Sequence, residues 1–247
     1  MGCFLYLIPT PTYDISKLVK NPIQAVLMNA MNDPDCGVYV HWGIKGSGKT
    51  AYATDLANKL KSNGRLVFFL DPTSLSHPIM SSMAIKKFCD LLPPRQRKFE
   101  LNPLEPPPTT IIIDDFDING EWEKHRDVIQ TLAKQSKNLK RFNLLLLVTS
   151  PHCAKTLCND WDWTSIRWTS ELGVWKEEHA AELLAMFPQH LAKEDYTDRL
   201  QLCVRAGTPG FVVWSAKEKN MKSNAVRVRA EKTEKEWADG YAVLESE

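Results

Sequence analysis

The sequence predicts an α/β protein: a three-layer α/β/α core built on a parallel β-sheet, followed by a small helical lid domain. Two observations support this prediction. Near-continuous apolar runs alternate with stretches whose apolar residues recur at helical spacing, a pattern typical of a parallel sheet that is buried on both faces. After residue 170 the strand pattern stops while the helical pattern continues, which indicates that a separate helical unit follows the sheet.

Strands and helices are expected to alternate through the core. The predicted strands are Gly37–Trp42, Arg65–Asp71, Thr110–Asp115, Phe142–Thr149 and a short one at Ser165–Trp168. The predicted helices are Lys49–Lys61, Ile79–Leu92 and Glu121–Ser136. A proline-rich segment over residues 92–108 precedes the third strand, and we expect an extended surface loop there because proline lacks a backbone donor.

The chain is expected to divide into four regions. These are an N-terminal segment over residues 1–20, the α/β core over 21–170, the helical lid over 171–220 and a charged tail over 221–247. The short helices predicted in the lid are Lys176–Phe187, Asp195–Ala206 and Pro209–Lys219. The tail is expected to be either a solvated helix or partly disordered.

The composition excludes several classes of protein. Of 247 residues, 43% are hydrophobic and 25% are charged, which excludes disorder over the whole length. The 31 basic residues balance 30 acidic ones, so a charged partner must be met by a local patch. No apolar run approaches the roughly 18 residues of a membrane span. The six cysteines form no CxxC pair and favour reduced thiols over a zinc site. We therefore expect an intracellular protein, cytoplasmic or nuclear, with no membrane partner.

The strongest motif is a P-loop, GIKGSGKT, at residues 43–50, between a predicted strand and a predicted helix. Its glycines allow backbone N–H groups to surround phosphate, and the helix adds its positive N-terminus. Lys49 is expected to reach the β- and γ-phosphates, and the Thr50 hydroxyl to bind Mg²⁺. Lys45 either contributes to this loop or is solvated. The residues expected to contact the nucleotide in this loop are Gly43, Lys45, Gly46, Ser47, Gly48, Lys49, Thr50 and Ala51.

A second acidic motif follows the strand IIIDD. Asp114 is expected to orient the Mg²⁺ ion and its water shell, and Asp115 to polarise an attacking water. The alternative is that the two carboxylates cap the helix after the strand. Asp117 is expected to cap the following helix.

The order of these motifs resembles that of the AAA+ and STAND branches of the ASCE P-loop ATPases, over about residues 20–219. The resemblance implies that ATP is the nucleotide, because no NKxD guanine motif follows Asp115. It also implies that the strand ending at Thr149 lies between the P-loop strand and the Asp-Asp strand. Thr149 would then sense the γ-phosphate and help to position water. The neighbouring Ser150 is an alternative, as is a simple turn before Pro151.

The predicted lid carries a second point of resemblance. Its Gly-Thr-Pro-Gly sequence at residues 207–210 is similar to the Gly-x-Pro motif of STAND ATPases, which implies that Pro209 lies against the nucleotide. Gly210 stands about where origin-recognition AAA+ proteins carry a sensor arginine, and Asp115 replaces the more usual glutamate. Both departures favour a slow, STAND-like switch, although such a turn is also an ordinary helix start.

Two features bear on partners. Arg167 lies where the family carries an arginine finger that completes a neighbouring subunit's site, which would require a homo-oligomer; alternatively it is a solvent-facing strand residue. Basic clusters suggest nucleic acid, although solvated surface is the competing interpretation. Arg141 is expected at the edge of the sheet opposite the phosphates. The clusters are Lys134, Lys137, Lys140 and Arg141, and Arg95, Arg97 and Lys98.

The sequence therefore predicts a Mg²⁺-dependent ATPase of AAA+/STAND type that couples ATP or ADP binding to conformational change. Lys49, Asp115 and Thr149 are its expected catalytic residues, and Thr50 and Asp114 its metal ligands. One alternative is a slow nucleotide switch that binds a protein client. Another is a DNA-associated ATPase that serves as a loader, packaging or replication helper for a virus or mobile element.

Overall fold

A computed structural model of the protein describes residues 19, 22–32, 37–70, 86, 89–90, 92, 109–117, 122–159, 167–168, 176–187, 196–217 and 224–246. Most of the predicted helix at 79–92, the basic cluster at 95–98 and nearly all of the segment 1–20 lie outside the described residues.

The described strands form one parallel sheet in the order β2-β3-β4-β1-β5. They are β1 Val38–Trp42, β2 Val67–Leu70, β3 Thr109–Ile113, β4 Phe142–Val148 and β5 Arg167–Trp168. Every residue of β1 to β4 is buried, which explains why these strands read as uninterrupted apolar runs. The predicted parallel sheet is confirmed, and β4 lies between β1 and β3 as the resemblance implied.

Helices cover both faces of the sheet, as expected for a three-layer core. The core helices are α1 Pro22–Asn32, α2 Lys49–Ser62, α3 Trp122–Leu139 and α4 Pro151–Asn159. One face buries Ile112 and Leu145 beneath α1 and α2. The other buries Ile111 and Leu144 beneath α3 and α4. Alternate residues of each strand therefore belong to two separate hydrophobic cores, one on each face. In the described part of the chain, no helix has the length and apolar character needed to span a membrane.

Two helices of the core, α1 and α4, were not predicted from the sequence. The end of α1 is bound by Asn143, a buried residue of β4 that no local sequence pattern distinguishes. Its Nδ2 donates to the carbonyl oxygen of Met31 at 2.8 Å, and its Oδ1 accepts from the N–H of Gly37 at 3.0 Å. These bonds join the end of α1 to the start of β1, a long-range contact that sequence periodicity does not reveal.

Among the described residues, three helices of the lid pack around a core of their own: α5 Glu177–Ala185, α6 Tyr196–Ala206 and α7 Pro209–Lys217. Leu183 of α5, Cys203 of α6 and Val212 of α7 are buried together. The predicted helical lid is confirmed.

The predicted charged tail contains a long helix, α8 Asn224–Glu245, which connects the lid to the core. Val226 and Ala230 belong to the core of the lid. Two turns further on, Trp237 belongs to the core above the sheet. Trp42, the last residue of β1, packs edge-on against Trp237 with 5.3 Å between ring centroids. The helix is therefore charged on its solvent side and apolar where it contacts the lid and the core. The sequence predicted a helix here as one alternative, but it did not predict that one side of it would be buried.

Gly240 of α8 leaves room for this aromatic contact. A Cβ atom at Gly240 would lie 2.7 Å from Cη2 of Trp42 and closer still to Cζ2. In an exposed helix, glycine to alanine stabilises by about 1 kcal/mol. At this position we expect Gly240→Ala to destabilise the protein by about 1–3 kcal/mol, because either α8 or Trp42 must move. Urea unfolding curves would measure the change.

The control for Gly240→Ala is the reverse substitution at an exposed position of the same helix. Ala242→Gly should cost about 1 kcal/mol through helix propensity alone. A Gly240→Ala variant more stable than the wild type would show that α8 is not in close contact with the Trp42 ring at this position.

Candidate nucleotide-binding site

The P-loop connects β1 to α2 at the carboxyl edge of the sheet. The N–H of Gly43 donates to the carbonyl oxygen of Val148 at 3.0 Å, which ties the start of the loop to the end of β4. Gly46 and Gly48 have φ angles of 84° and 91°, in the left-handed region that favours glycine. The backbone between them therefore turns sharply before α2 begins at Lys49.

Lys49 lies inside this turn and is only 6% exposed. Its ammonium group donates to the carbonyl oxygen of Gly43 and to that of Ile44, the latter at 3.2 Å. Burial lowers the pKa of Lys49, while the carboxylates of Asp114, Asp117 and Asp115 act in the opposite direction. The lysine is thus held by the loop and faces a cluster of three acidic side chains.

Asp114 follows the last residue of β3 and is 3% exposed. Burial raises the pKa of its carboxyl group to about 6, and a hydrogen bond from the Thr50 side chain acts in the opposite direction. The fold therefore brings together the two residues that the sequence predicted as metal ligands. A hydroxyl and a carboxylate are hard oxygen donors that suit Mg²⁺, which takes its remaining ligands from water and phosphate.

Asp115 is exposed at the same edge of the sheet. Its φ angle is 56°, a left-handed conformation that is uncommon for a residue other than glycine. Its backbone N–H donates to Oδ1 of Asp114 at 2.9 Å, which stabilises this turn. The two adjacent carboxylates consequently have different environments, since one is buried beside Thr50 and the other is open to solvent.

The structure corrects the role expected for Asp117. Its Oδ2 accepts hydrogen bonds from the backbone N–H groups of Thr149 at 2.7 Å and of Ser150 at 2.5 Å. Asp117 therefore binds the end of β4 rather than capping the helix that follows it in sequence. The prediction was wrong because it considered only the local chain, whereas parallel pairing brings the end of β4 alongside the turn after β3.

The two candidate sensor hydroxyls differ in what they contact. Ser150 Oγ accepts from the N–H of Cys153 at 3.2 Å, so this hydroxyl is the N-cap of α4, with Pro151 at the first helical position. The backbone carbonyl of Thr149 accepts from Nε1 of Trp42 at 3.1 Å. Because the Ser150 hydroxyl is engaged in capping α4, Thr149 is the better candidate for sensing the γ-phosphate. That role stays a prediction.

The lid reaches the P-loop through the Gly-Thr-Pro-Gly turn at the start of α7. The N–H of Gly210 donates to the carbonyl oxygen of Gly46 at 2.9 Å. Pro209 Cγ lies 3.2 Å from the point that a Cβ atom on Gly48 would occupy. The turn is locally stable because Thr208 Oγ1 accepts from the N–H of Phe211. Pro209 thus lies directly against the phosphate loop.

Two predicted residues, Arg167 and Arg141, lie away from this cluster, and a third, Lys45, lies in the loop but is exposed. Arg167 is in the edge strand β5, where it pairs with Tyr39, near the opposite end of β1 from the P-loop. Arg141 precedes β4 and donates to the carbonyl oxygens of Cys89, Asp90 and Leu92, at the edge remote from the P-loop, as expected. Lys45 is exposed on the P-loop itself.

Among the described residues, no group of three or more His, Cys, Asp or Glu side chains could hold a metal ion, so any ion at this edge would depend on Asp114, the Thr50 hydroxyl, water and phosphate. The cysteines in the described part of the chain form no disulfides; they are Cys89, Cys153, Cys158 and Cys203.

The fold, an α/β P-loop core followed by a helical domain, matches the fold of AAA+ ATPases of known structure. No protein-family model matches the sequence, and no curated protein matches it. Among solved structures, the chain is similar to a replication initiator DnaA bound to AMPPCP and single-stranded DNA. That likeness has a TM-score of 0.55 at 12% identity and covers 92% of this chain and 70% of the other.

A second similar structure is the Walker-type ATPase of Pyrococcus abyssi. Its TM-score is 0.50 at 13% identity, over 96% of this chain and 77% of that one. At such low identities the likeness concerns the fold, and it does not distinguish the STAND branch from other AAA+ proteins.

The environment of Asp114 predicts a pH-dependent stability. Because its folded-state pKa of about 6 exceeds the ordinary value of 3.8, the folded protein binds this proton more tightly and loses stability as pH rises through that interval. In EDTA and without nucleotide, Asp114→Asn should be more stable than wild type by on the order of 3 kcal/mol near pH 7.5, and by about 1 kcal/mol near pH 4.5. Urea titrations at the two pH values would measure both differences.

The matched control is Asp127→Asn, which changes an exposed carboxylate of α3. Its stability should differ little from that of the wild type, because an exposed substitution of this kind removes no buried contact. If Asp114→Asn had an equally small effect near pH 7.5, the carboxyl group of Asp114 would not be buried as described.

Proposed function

We propose that this chain is an ATPase that binds ATP together with Mg²⁺ and couples the nucleotide state to movement of the lid. One observation supports this most directly. The buried Lys49, the hydrogen-bonded pair of Thr50 and Asp114, and the exposed Asp115 meet where the P-loop and β3 end. This arrangement provides cationic, metal-binding and water-binding groups side by side, as phosphoryl transfer requires.

Each residue has a separate proposed role. The Lys49 ammonium, now bonded to P-loop carbonyls, would exchange these acceptors for β- and γ-phosphate oxygens and stabilise charge on the transferred group. Thr50 and Asp114 would hold Mg²⁺, which neutralises phosphate charge when bound. Asp115, open to solvent, would accept a hydrogen bond from the attacking water, with Thr149 aligning that water. The other loop residues expected to contact the nucleotide would surround the phosphates; they are Gly43, Lys45, Gly46, Ser47, Gly48 and Ala51.

The lid turn supports coupling to conformation. Gly210 donates to Gly46, and Pro209 lies against Gly48, so a nucleotide in the P-loop would contact the lid as well. Glycine at 210 offers no side-chain cation to the phosphates. That observation favours the second candidate function, a slow switch whose ATP- and ADP-bound forms present different surfaces to a protein client.

Partners beyond the nucleotide remain part of the proposal. Arg167 on the edge strand would complete the site of a second subunit in a homo-oligomer. The DnaA structure similar to this chain holds single-stranded DNA. This likeness makes DNA a client to test, with the exposed lysines at positions 134, 137 and 140 as its local basic surface. We also propose an intracellular location, cytoplasmic or nuclear, because the cysteine pattern favours reduced thiols and the nucleotide and DNA proposed as ligands are found inside cells.

Nucleotide binding should depend on Lys49. We expect Lys49→Ala to weaken the affinity for a fluorescent ATP analogue by about 10- to 100-fold, since it removes charge-assisted hydrogen bonds to phosphate. Lys61→Ala, which changes an exposed lysine at the far end of the same helix, is the matched control and should bind like wild type. Equal affinities of all three proteins would contradict a phosphate-binding role for this loop.

Turnover should depend on Asp115 while binding should not. We expect Asp115→Asn to lower the steady-state rate of Mg²⁺-dependent ATP hydrolysis by about 100-fold or more, with affinity within about threefold of wild type. Phosphate release, measured with and without single- and double-stranded DNA, tests this expectation and the DNA alternative together. A wild-type chain that binds ATP tightly without turnover in every condition would instead identify a switch.

A further inference from the structure

Both backbone polar groups of Thr149 are held by side chains from the neighbouring strands. On one side, Asp117 in the turn after β3 accepts from the N–H of Thr149 at 2.7 Å. On the other side, Trp42 at the end of β1 donates to the Thr149 carbonyl at 3.1 Å. Because β4 lies between β3 and β1, these two contacts fix Thr149 across the sheet.

The Asp117 carboxylate is buried, with 3% exposure, although it lies beside two other acidic residues. Burial raises its pKa, while the amides of Ser150 and Thr149 and the charge of Lys49 act in the opposite direction. Both amide bonds are accepted by the same oxygen, Oδ2. The same carboxylate thus binds the end of β4 through hydrogen bonds and interacts electrostatically with Lys49 of the P-loop.

Trp42 extends this connection to the lid. Its indole ring packs edge-on against Trp237 and Tyr241 of α8, with centroid distances of 5.3 Å and 5.2 Å. The same helix contributes Ala230 to the core of the lid. A displacement of α8 would therefore shift the indole ring of Trp42, whose N–H donates to the Thr149 carbonyl.

We propose that Asp117 is a positioning residue: with Trp42 it holds Thr149 at the nucleotide edge of the sheet, so that the Thr149 hydroxyl is aligned for ATP hydrolysis. This inference rests on the proposed function in one respect, the role of Thr149. Asp117 itself acts through the backbone of Thr149 and does not touch the substrate.

The contact is tested first without nucleotide, by hydrogen exchange. Asp117→Ala should raise the exchange rates of the Thr149 and Ser150 amides at least about tenfold relative to those of Leu145 and Leu146 in the middle of β4. Asp117→Asn, which keeps an acceptor oxygen, should retain most of the protection. Unchanged exchange at Thr149, or a uniform rise along β4, overturns the proposal.

The second test is a double-mutant cycle on hydrolysis. We expect Asp117→Ala to lower kcat about tenfold or more with nucleotide affinity within about threefold, and Asp117→Asn to restore most of the rate. If Asp117 acts through Thr149, the double variant with Thr149→Ala should be no slower than Thr149→Ala alone, within about twofold. Multiplied losses would show that Asp117 acts independently and would overturn the proposal.

These outcomes separate this inference from the proposed function. A wild-type chain that hydrolyses no ATP, or a Thr149→Ala variant with the wild-type rate, refutes the role given to Thr149, whereas the exchange result still decides the Asp117 contact. Asp127→Ala, which removes an exposed carboxylate from α3, is the matched control. It should alter neither exchange at Thr149 nor kcat.

Discussion

Parallel pairing of β3, β4 and β1 is the constraint on which the rest of the structure depends. It brings the carboxyl ends of these strands to one edge, where Val148 is in register with Trp42 and Leu146 with Ile113. The P-loop, the acidic turn and Thr149 follow those ends and therefore meet, although they are far apart in sequence. The buried strands allow little freedom of register, because both faces of the sheet are packed by helices.

The cluster at this edge combines charges that would each be costly to bury alone. Lys49, Asp114 and Asp117 are nearly inaccessible to solvent, and the lysine acts on the pKa of both carboxyl groups. Burial disfavours the ionised form of every member, and the charge of Asp115 adds to this effect at Asp114. Opposite charges, backbone amides and the Thr50 hydroxyl favour the ionised forms. Such a cluster is a poor source of stability and a suitable environment for an ion and a polyphosphate, which is why we assign it a function.

The helix α8 gives the nucleotide edge a second connection to the lid. The first is direct, through the turn at Pro209 and Gly210 on the P-loop. The second passes from the lid core through Ala230 and Trp237 to Trp42 at the end of β1. The lid is thus held at two points, and it cannot shift without altering a contact at the P-loop or at Trp42. This architecture is suited to the proposed conformational readout of nucleotide state.

The sequence by itself determined the features that depend on local chemistry. The glycines and lysine of the loop at 43–50, the alternating apolar strands and the helical spacing after residue 170 predicted the P-loop, the parallel sheet and the lid. Each pattern reports backbone freedom or burial along one segment. Only the tertiary structure decided the partners of Asp117, Trp42 and Asn143, and the packed face of α8. Those roles arise from side chains that meet across strands or between the lid and the core, and no spacing within one segment encodes which distant backbone groups they will bind.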